Sequence, residues 1–296
     1  MAVDTTVFVP PRRSTLSKAL AFFRTPIGFQ LSVIIVIGAF LITGLASVLP
    51  LDDAYHQDLR GKLQDPAILG GAADHLFGTD NLGRDIFART VLGLQTSFKL
   101  AVVAVIAGGV AGVIVGILAG YIGGFVDDLI QRLIDVQLSI PYILLALALI
   151  TTLGTSENNL IIVLALTTWV PYAKIARAET LPLKKREFVD LARVAGASHW
   201  RVMFRHIMPH TLPSAFVVAT LQVPTVMLFE AALSFLGVGV QPPDPSIGNI
   251  VFEGRAFLNS EWWFALIPSA VLVIIIMAMS IVGDFVRDTL DPNVNL

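Results

Sequence analysis

The chain is 296 residues long, 55% hydrophobic and only 14% charged, with a mean hydropathy of +0.77. Soluble domains carry about 25% charged residues, so the composition argues against a soluble protein, and a net charge of −2 argues against a nucleic-acid binder, which would show a basic excess. The absence of cysteine excludes disulfides and thiolate metal or redox chemistry.

A helix needs about 20 apolar residues to cross a bilayer, and six stretches supply them. An arm (1–28) leads into the first, 29–49, which holds no charge. It is too long for the apolar part of a signal peptide and is read as an uncleaved helix. A polar segment, 50–99, follows. The core, 100–287, holds the other five spans. These are 100–122; 133–153, with Asp135 near one end and Pro141 inside; 160–175, with Pro171; 212–237, with Pro224 and Glu230; and 263–282. A short tail, 288–296, ends the chain. Prolines are tolerated in such spans because neighbouring helices or hydroxyls can satisfy the freed backbone groups. The expectation is an all-α polytopic membrane protein with six transmembrane helices. No internal repeat is visible.

Six spans put both termini on one side, and the segments on that side hold 14 of the 20 Lys and Arg residues. By the positive-inside rule, both termini and the 177–211 loop are expected to be cytoplasmic, in the cell's plasma or inner membrane. The polar segments 50–99 and 238–262 then face outward. The first contains "HLFGTDNLGRD" (75–85), read as a turn in which Asp80 and Arg84 pair locally.

Within the second span, Gly108, Gly112, Gly116 and Gly120 recur every fourth residue and line one helix face. Such a face lets another backbone approach closely, so these glycines are assigned to helix packing. Glu230 is an ionisable group at membrane depth, which is expensive. Two readings stay open for it: a hydrogen bond to a neighbouring helix, or a place at a pathway wall or subunit interface. Pro224 and Pro141 share the second assignment. No Asp/Glu/His chain runs through the other spans, which counts against proton coupling.

Catalytic, cofactor and metal sites are not expected. His206 and His210 share a helix face, but Pro209 disturbs it and no carboxylate completes a ligand set. Ser198-His199 lacks a third member, and no phosphate-binding GxxxxGK[ST] loop occurs.

The cytoplasmic stretch "EFVDLARVAGASHWRVMFRHIMPH" (187–210) contrasts with its oily surroundings. Phe188, Leu191, Ala192 and Ala195 fall on one helix face. Gly196 can stop that helix in the left-handed conformation, next to Ala197, and Ser198 can cap the following one. Trp200, Met203, Phe204 and Ile207 give the second helix its own apolar face, and Pro209 and Pro213 mark the turn back into the membrane. An amphipathic pair lying on anionic headgroups would explain the basic residues. A protruding elbow shaped to enter a groove on a soluble partner also explains the glycine and the aromatic cluster.

These residues resemble the coupling loop of type I ATP-binding-cassette (ABC) importer permeases. That signature has an acid and two alanines, a glycine four residues on, then an apolar residue before a proline. Here Asp190, Leu191, Ala192, Gly196, Ile207 and Pro209 take those places, with Asp for Glu and Leu for the first alanine. "HLFGTDNLGRD", "WVPYAKIARAETLPLKKREFVD" and "EAALSFLGVGVQPPDPSIGN" are similar to the dipeptide/oligopeptide/nickel branch, C-type subunit; Ile247 stands where that branch usually has Trp.

The resemblance implies the type I importer permease fold and half of a translocation pathway. It also implies a homologous second permease, two ABC ATPase subunits or one fused ATPase that bind ATP and Mg in place of this chain, and an extracytoplasmic substrate-binding protein. Phe188, Asp190, Leu191, Ala192, Gly196, Ala197, Ser198, Trp200, Phe204, Ile207 and Pro209 would couple to the ATPase. The 75–85 loop would be the outer surface for the binding protein if it is not self-capped. Peptides are the first expected substrate, with a nickel chelate or another small solute second. A secondary transporter is a weaker alternative, since no repeat supplies its coupling-ion sites.

Overall fold

In lipid every backbone polar group must be satisfied within the protein, and the helices of this chain are built around that demand. The computed structural model describes residues 26–290 apart from 47, 50 and 72. The greater part of the expected N-terminal arm and of the tail lies outside them. The described residues form helices and turns, with one isolated bridge between Thr79 and Asp85. Five helices are long and apolar enough to span a membrane, or six if one bent pair is counted as a span.

Helix α1, Ile27–Leu45, buries only Ser32 and Thr43 and leaves one side open, as a lipid-facing helix should. The Oγ of Ser32 and of Thr43 donates back to the Gly28 and Ala39 carbonyls, hiding both hydroxyls from hydrocarbon. Helix α2, Ile86–Ile122, begins well before the expected Leu100. Asp85 caps it by accepting from the Ala88 amide at 2.7 Å. Arg89, Gln95, Thr96 and Lys99 lower the hydropathy of the first turns, so a sequence window starts the span too late. The helical backbone ignores that drop. At ~1.5 Å per residue the 37 residues reach about 55 Å, well beyond the bilayer core.

The expected third span is not straight. Helix α3, Gly124–Ser139, and helix α4, Tyr142–Leu153, meet at 96° across Ile140 and Pro141. A residue before proline is pushed out of the helical region, and Ile140 is extended at φ −98°, ψ 127°. The amphipathic α3 then lies along helix α5, Glu157–Leu183. Asp127 and Arg177 form a two-pronged ion pair at 2.5 and 2.7 Å, and the Trp169 indole donates to Gln137 at 2.8 Å. Pro171 cannot donate to the Thr167 carbonyl; Gln137 Nε2 supplies replacement contacts, at 3.4 Å to that oxygen and 3.1 Å to Leu166 O.

Helix α6, Glu187–Val194, is followed by α7, His199–Phe235, which carries a π-helical stretch at Val202–Ile207. The expected turn at Pro209 and Pro213 is therefore absent. The wider π-turn spreads the hydrogen bonding just before Pro209, and the helix continues into the membrane. Helix α8, Ile247–Gly254, starts in a reciprocal Ser246–Asn249 capping box, and α9, Trp263–Leu290, closes the bundle.

The core lies where α2, α5 and α7 meet, with Leu100, Ala104, Ile117, Leu164, Tyr172, Met227 and Leu233 buried. The glycine ladder faces α5. A Cβ on Gly108 would collide with Thr168 Oγ1, one on Gly112 with the Trp169 carbonyl and one on Gly116 with the Ala173 carbonyl; at Gly120 it would lie 2.8 Å from Thr180 Cβ. Replacing Gly116 by Val is expected to destabilise the purified protein by about 1–3 kcal/mol or more, read as a lower melting temperature in detergent. Gly38→Val on α1, where no atom lies within 4 Å, should leave the melt nearly unchanged.

Candidate functional site: a glycine elbow at one end of the bundle

The elbow is closed by backbone chemistry. Gly196 sits at φ +80°, which glycine adopts without steric cost. Its amide donates to the Arg193 carbonyl at 2.9 Å, and the Ala197 amide to Ala192 at 3.0 Å. This pair is the Schellman arrangement, and it satisfies carbonyls that the end of α6 would otherwise leave open. Ser198 Oγ accepts from the Arg201 amide at 3.4 Å as α7 begins. Glu187 and Asp190 occupy the first turn of α6 and Arg193 the last, each favourable to the helix dipole.

The two expected apolar faces are divided by the fold. Val189, Val202, Met203 and Ile207 turn inward and are buried. Phe188, Leu191, Val194, Trp200 and Phe204 remain exposed; Val194 is 87% and Leu191 68% accessible. Trp200 and Phe204 stack with ring centres 5.6 Å apart, and Phe188 lies 5.5 Å from His210. Ala192 and Ala197 are half-buried beside Gly196, and Asp190, Ser198 and Pro209 are exposed. The elbow is thus an apolar, aromatic knob anchored through its inner side.

A second anchor was not legible in the sequence. Tyr121, in the last turn of α2, has its hydroxyl 2.9 Å from His199 Nδ1, and Arg193 lies over the Tyr121 ring at 5.4 Å. Lys184 Nζ donates to the Gly120 carbonyl at 2.6 Å. The elbow is therefore bolted to the same end of α2 that carries the glycine ladder. Among the described residues no three His, Asp or Glu side chains gather to hold a metal ion.

Residues 112–296, which include the whole elbow, match the family model described as "Binding-protein-dependent transport system inner membrane component". The chain belongs to this family. It is 35% identical over 260 residues to a dipeptide transport system permease protein of Alkalihalophilus pseudofirmus, covering 88% of this chain and 84% of that one. A glutathione transport system permease protein of Salmonella typhimurium is 41% identical over 225 residues, 76% of this chain and 74% of the other. A putative peptide transport system permease protein of Brucella abortus is 36% identical over 275 residues, covering 91% and 88%. The protein is a type I ABC importer permease.

At the far end of the permease, charge is handled in the opposite way, by internal pairing. The Asp80–Arg84 contact expected within the 75–85 loop is present at 2.6 Å, but two further residues complete it. Arg89 donates to Asp80 at 2.5 Å and to Glu253 at 2.8 Å, and Arg84 reaches Glu253 at 2.7 Å. Asp80 and Arg89 are almost fully buried. The loop is self-capped and turned inward. Glu253 escaped sequence reading because its partners lie more than 160 positions away.

Glu230 is wholly buried, accepting from Ser97 at 2.5 Å and Ser234 at 2.7 Å. No part of Glu230 reaches the chain's surface, and its bond to Ser97 links α7 to α2. Pro224 is likewise buried, whereas Pro141 is exposed at the α3–α4 bend. Glu179, on α5, bonds Ser214 of α7 in the same manner.

Removing one partner of a buried ion pair costs about 3–5 kcal/mol, against about 0–1 kcal/mol for an exposed one. Arg89→Met is expected to lower the melting temperature strongly. Lys99→Met, which breaks the exposed Lys99–Glu157 pair, should barely move it. Paired thermal melts of the two variants check this.

Proposed function

We infer that this permease forms one half of the translocation pathway of an ATP-driven peptide importer. The observation that carries the reading is the exposed apolar knob formed by Phe188, Leu191, Val194, Trp200 and Phe204 around the Gly196 elbow. Soluble partners recognise such a helical projection by receiving its apolar side chains in a groove. Peptides are favoured over nickel because the relatives above are named for dipeptide, peptide and glutathione transport.

In this scheme the knob, including Asp190, Ala192, Ala197, Ser198, Ile207 and Pro209 as its framework, sits on the cytoplasmic side and docks into an ABC ATPase subunit. The lysine and arginine distribution supports that orientation. A homologous permease supplies the other half, with its own ATPase partner, separate or fused. The ATPases bind ATP and Mg, and an extracytoplasmic binding protein delivers peptide to the opposite end.

This chain's task is mechanical. Displacement of the knob passes through the Tyr121–His199 contact to α2, and along the unbroken α7 to Glu230 and Ser97. A two-ended linkage of this kind suits alternation between inward- and outward-facing states.

The test is Gly196→Glu. No atom lies within 4 Å of a Cβ there, so the bundle has room for the side chain while the elbow loses its left-handed residue and gains a charge. Uptake of labelled peptide by the reconstituted complex is expected to fall at least about ten-fold, with the six-helix chain still inserted. Wild-type uptake by this variant would remove the docking role, and uptake of nickel instead of peptide by the unmodified complex would overturn the substrate.

A further inference from the structure

At the end of the bundle opposite the elbow, α2, the start of α5 and the segment before α8 enclose a polar cleft of about 660 Å³. Small-ligand sites usually occupy about 300–1,000 Å³. Its walls carry both signs of charge: Lys99 on α2, Glu157 at the first turn of α5 and Asp244 ahead of α8. Between them stand Gln95, Thr96 and Gln241. The 22 residue steps from Lys99 to Tyr121 separate the cleft from the elbow by about 33 Å along α2, roughly the depth of a bilayer core.

Three features make this a receptive surface. Lys99 and Glu157 pair at 2.8 Å, yet their side chains are 63% and 51% accessible. A pair so exposed is weak and opens readily to a competing charge. The two amides are held in place by backbone carbonyls, Gln95 Nε2 on Thr43 O at 3.0 Å and Gln241 Nε2 on Gly239 O at 2.9 Å. Each side-chain oxygen then stands in a fixed position to accept an N–H. Finally, Tyr55 lies beside Asp244. Partial burial, and then the Asp244 carboxylate, push its phenol above the ordinary range, so it stays a neutral donor to that carboxylate.

We propose that this cleft receives the free termini of the incoming peptide, Lys99 taking the carboxylate while Glu157 and Asp244 take the ammonium. The proposal rests on the peptide-importer reading and adds to it a substrate contact within the permease. A zwitterion replaces each member of the Lys99–Glu157 pair with a group of the same sign, so no charge is left unpaired. The concave shape suits a short peptide better than the flat face of a docking protein.

The experiment uses the assembled complex in proteoliposomes. This chain has no cysteine, so Thr96→Cys places its single thiol in the cleft, followed by maleimide labelling of this subunit. With no binding protein present, a free dipeptide at about ten times its Kd is expected to slow labelling about ten-fold. The same dipeptide acetylated and amidated at its ends should give little protection, and Lys99→Met should abolish the difference. Should Thr96→Cys fail to assemble, Gln241→Cys on the facing wall serves instead. Equal protection by both peptides, or by neither, overturns the proposal. Protection only by the loaded binding protein would make the cleft a protein-docking surface and overturn it equally. Uptake of labelled peptide by the unmodified complex is followed in parallel. Its absence sinks the importer reading, whereas uptake without protection at the thiol sinks the cleft alone.

Discussion

Between helices immersed in lipid there is no hydrophobic force to recruit, because the surrounding acyl chains are as apolar as leucine. Helices α2 and α5 cohere because Gly108, Gly112 and Gly116 let the backbone and side chains of α5 come within contact distance, where many small dispersion terms add up. The rest of the bundle hangs from that pair. Helix α3 is strapped to α5 by Asp127–Arg177 and Gln137, and α7 is tied to α2 by Glu230–Ser97 and to α5 by Glu179–Ser214. The elbow is tied to the far end of α2 through Tyr121.

The two ends of the molecule treat their side chains in contrasting ways. At one end Asp80, Arg84, Arg89 and Glu253 neutralise one another in a nearly dry cluster that joins the 75–85 loop, α2 and α8. Such a cluster fixes geometry more surely than it adds stability, since desolvation offsets much of the attraction. At the other end the chain leaves aromatic and aliphatic side chains in the open around Gly196, a patch of the kind that marks a protein or membrane interaction surface. The continuous helices α2 and α7 join the self-satisfied end to the open one.

Much of this was legible in the sequence because it depended on short-range pattern. The four-residue glycine period marks a helix face whatever that face meets. Gly196 between two amphipathic runs marks a left-handed stop, and the long apolar runs mark spans. The misses share a different cause. The start of α2 was placed too late because Arg89 and Lys99 look like loop residues until Asp80, Glu253 and Glu157, all remote or across a turn, are seen to pair with them. The 96° bend at Pro141 and the unbroken passage through Pro209 and Pro213 could not be told apart by composition, since proline permits either outcome. What decides is whether a neighbour or a π-turn repairs the lost hydrogen bond.

The sequence by itself determined that this is an all-helical membrane chain with a tightly packing glycine face and a glycine-hinged polar insert. Those properties follow from local hydropathy, helical period and the conformational freedom of one residue. Only the tertiary structure decided which apolar residues of the insert turn inward, with Val189 buried and Leu191, two residues on, exposed. It also decided that Glu230 is sealed inside the chain and that the charged residues at the opposite end divide into a buried cluster and an open cleft. An amphipathic pattern records that a face is apolar, and a charge records that it needs a partner. Neither records where in space the partner stands.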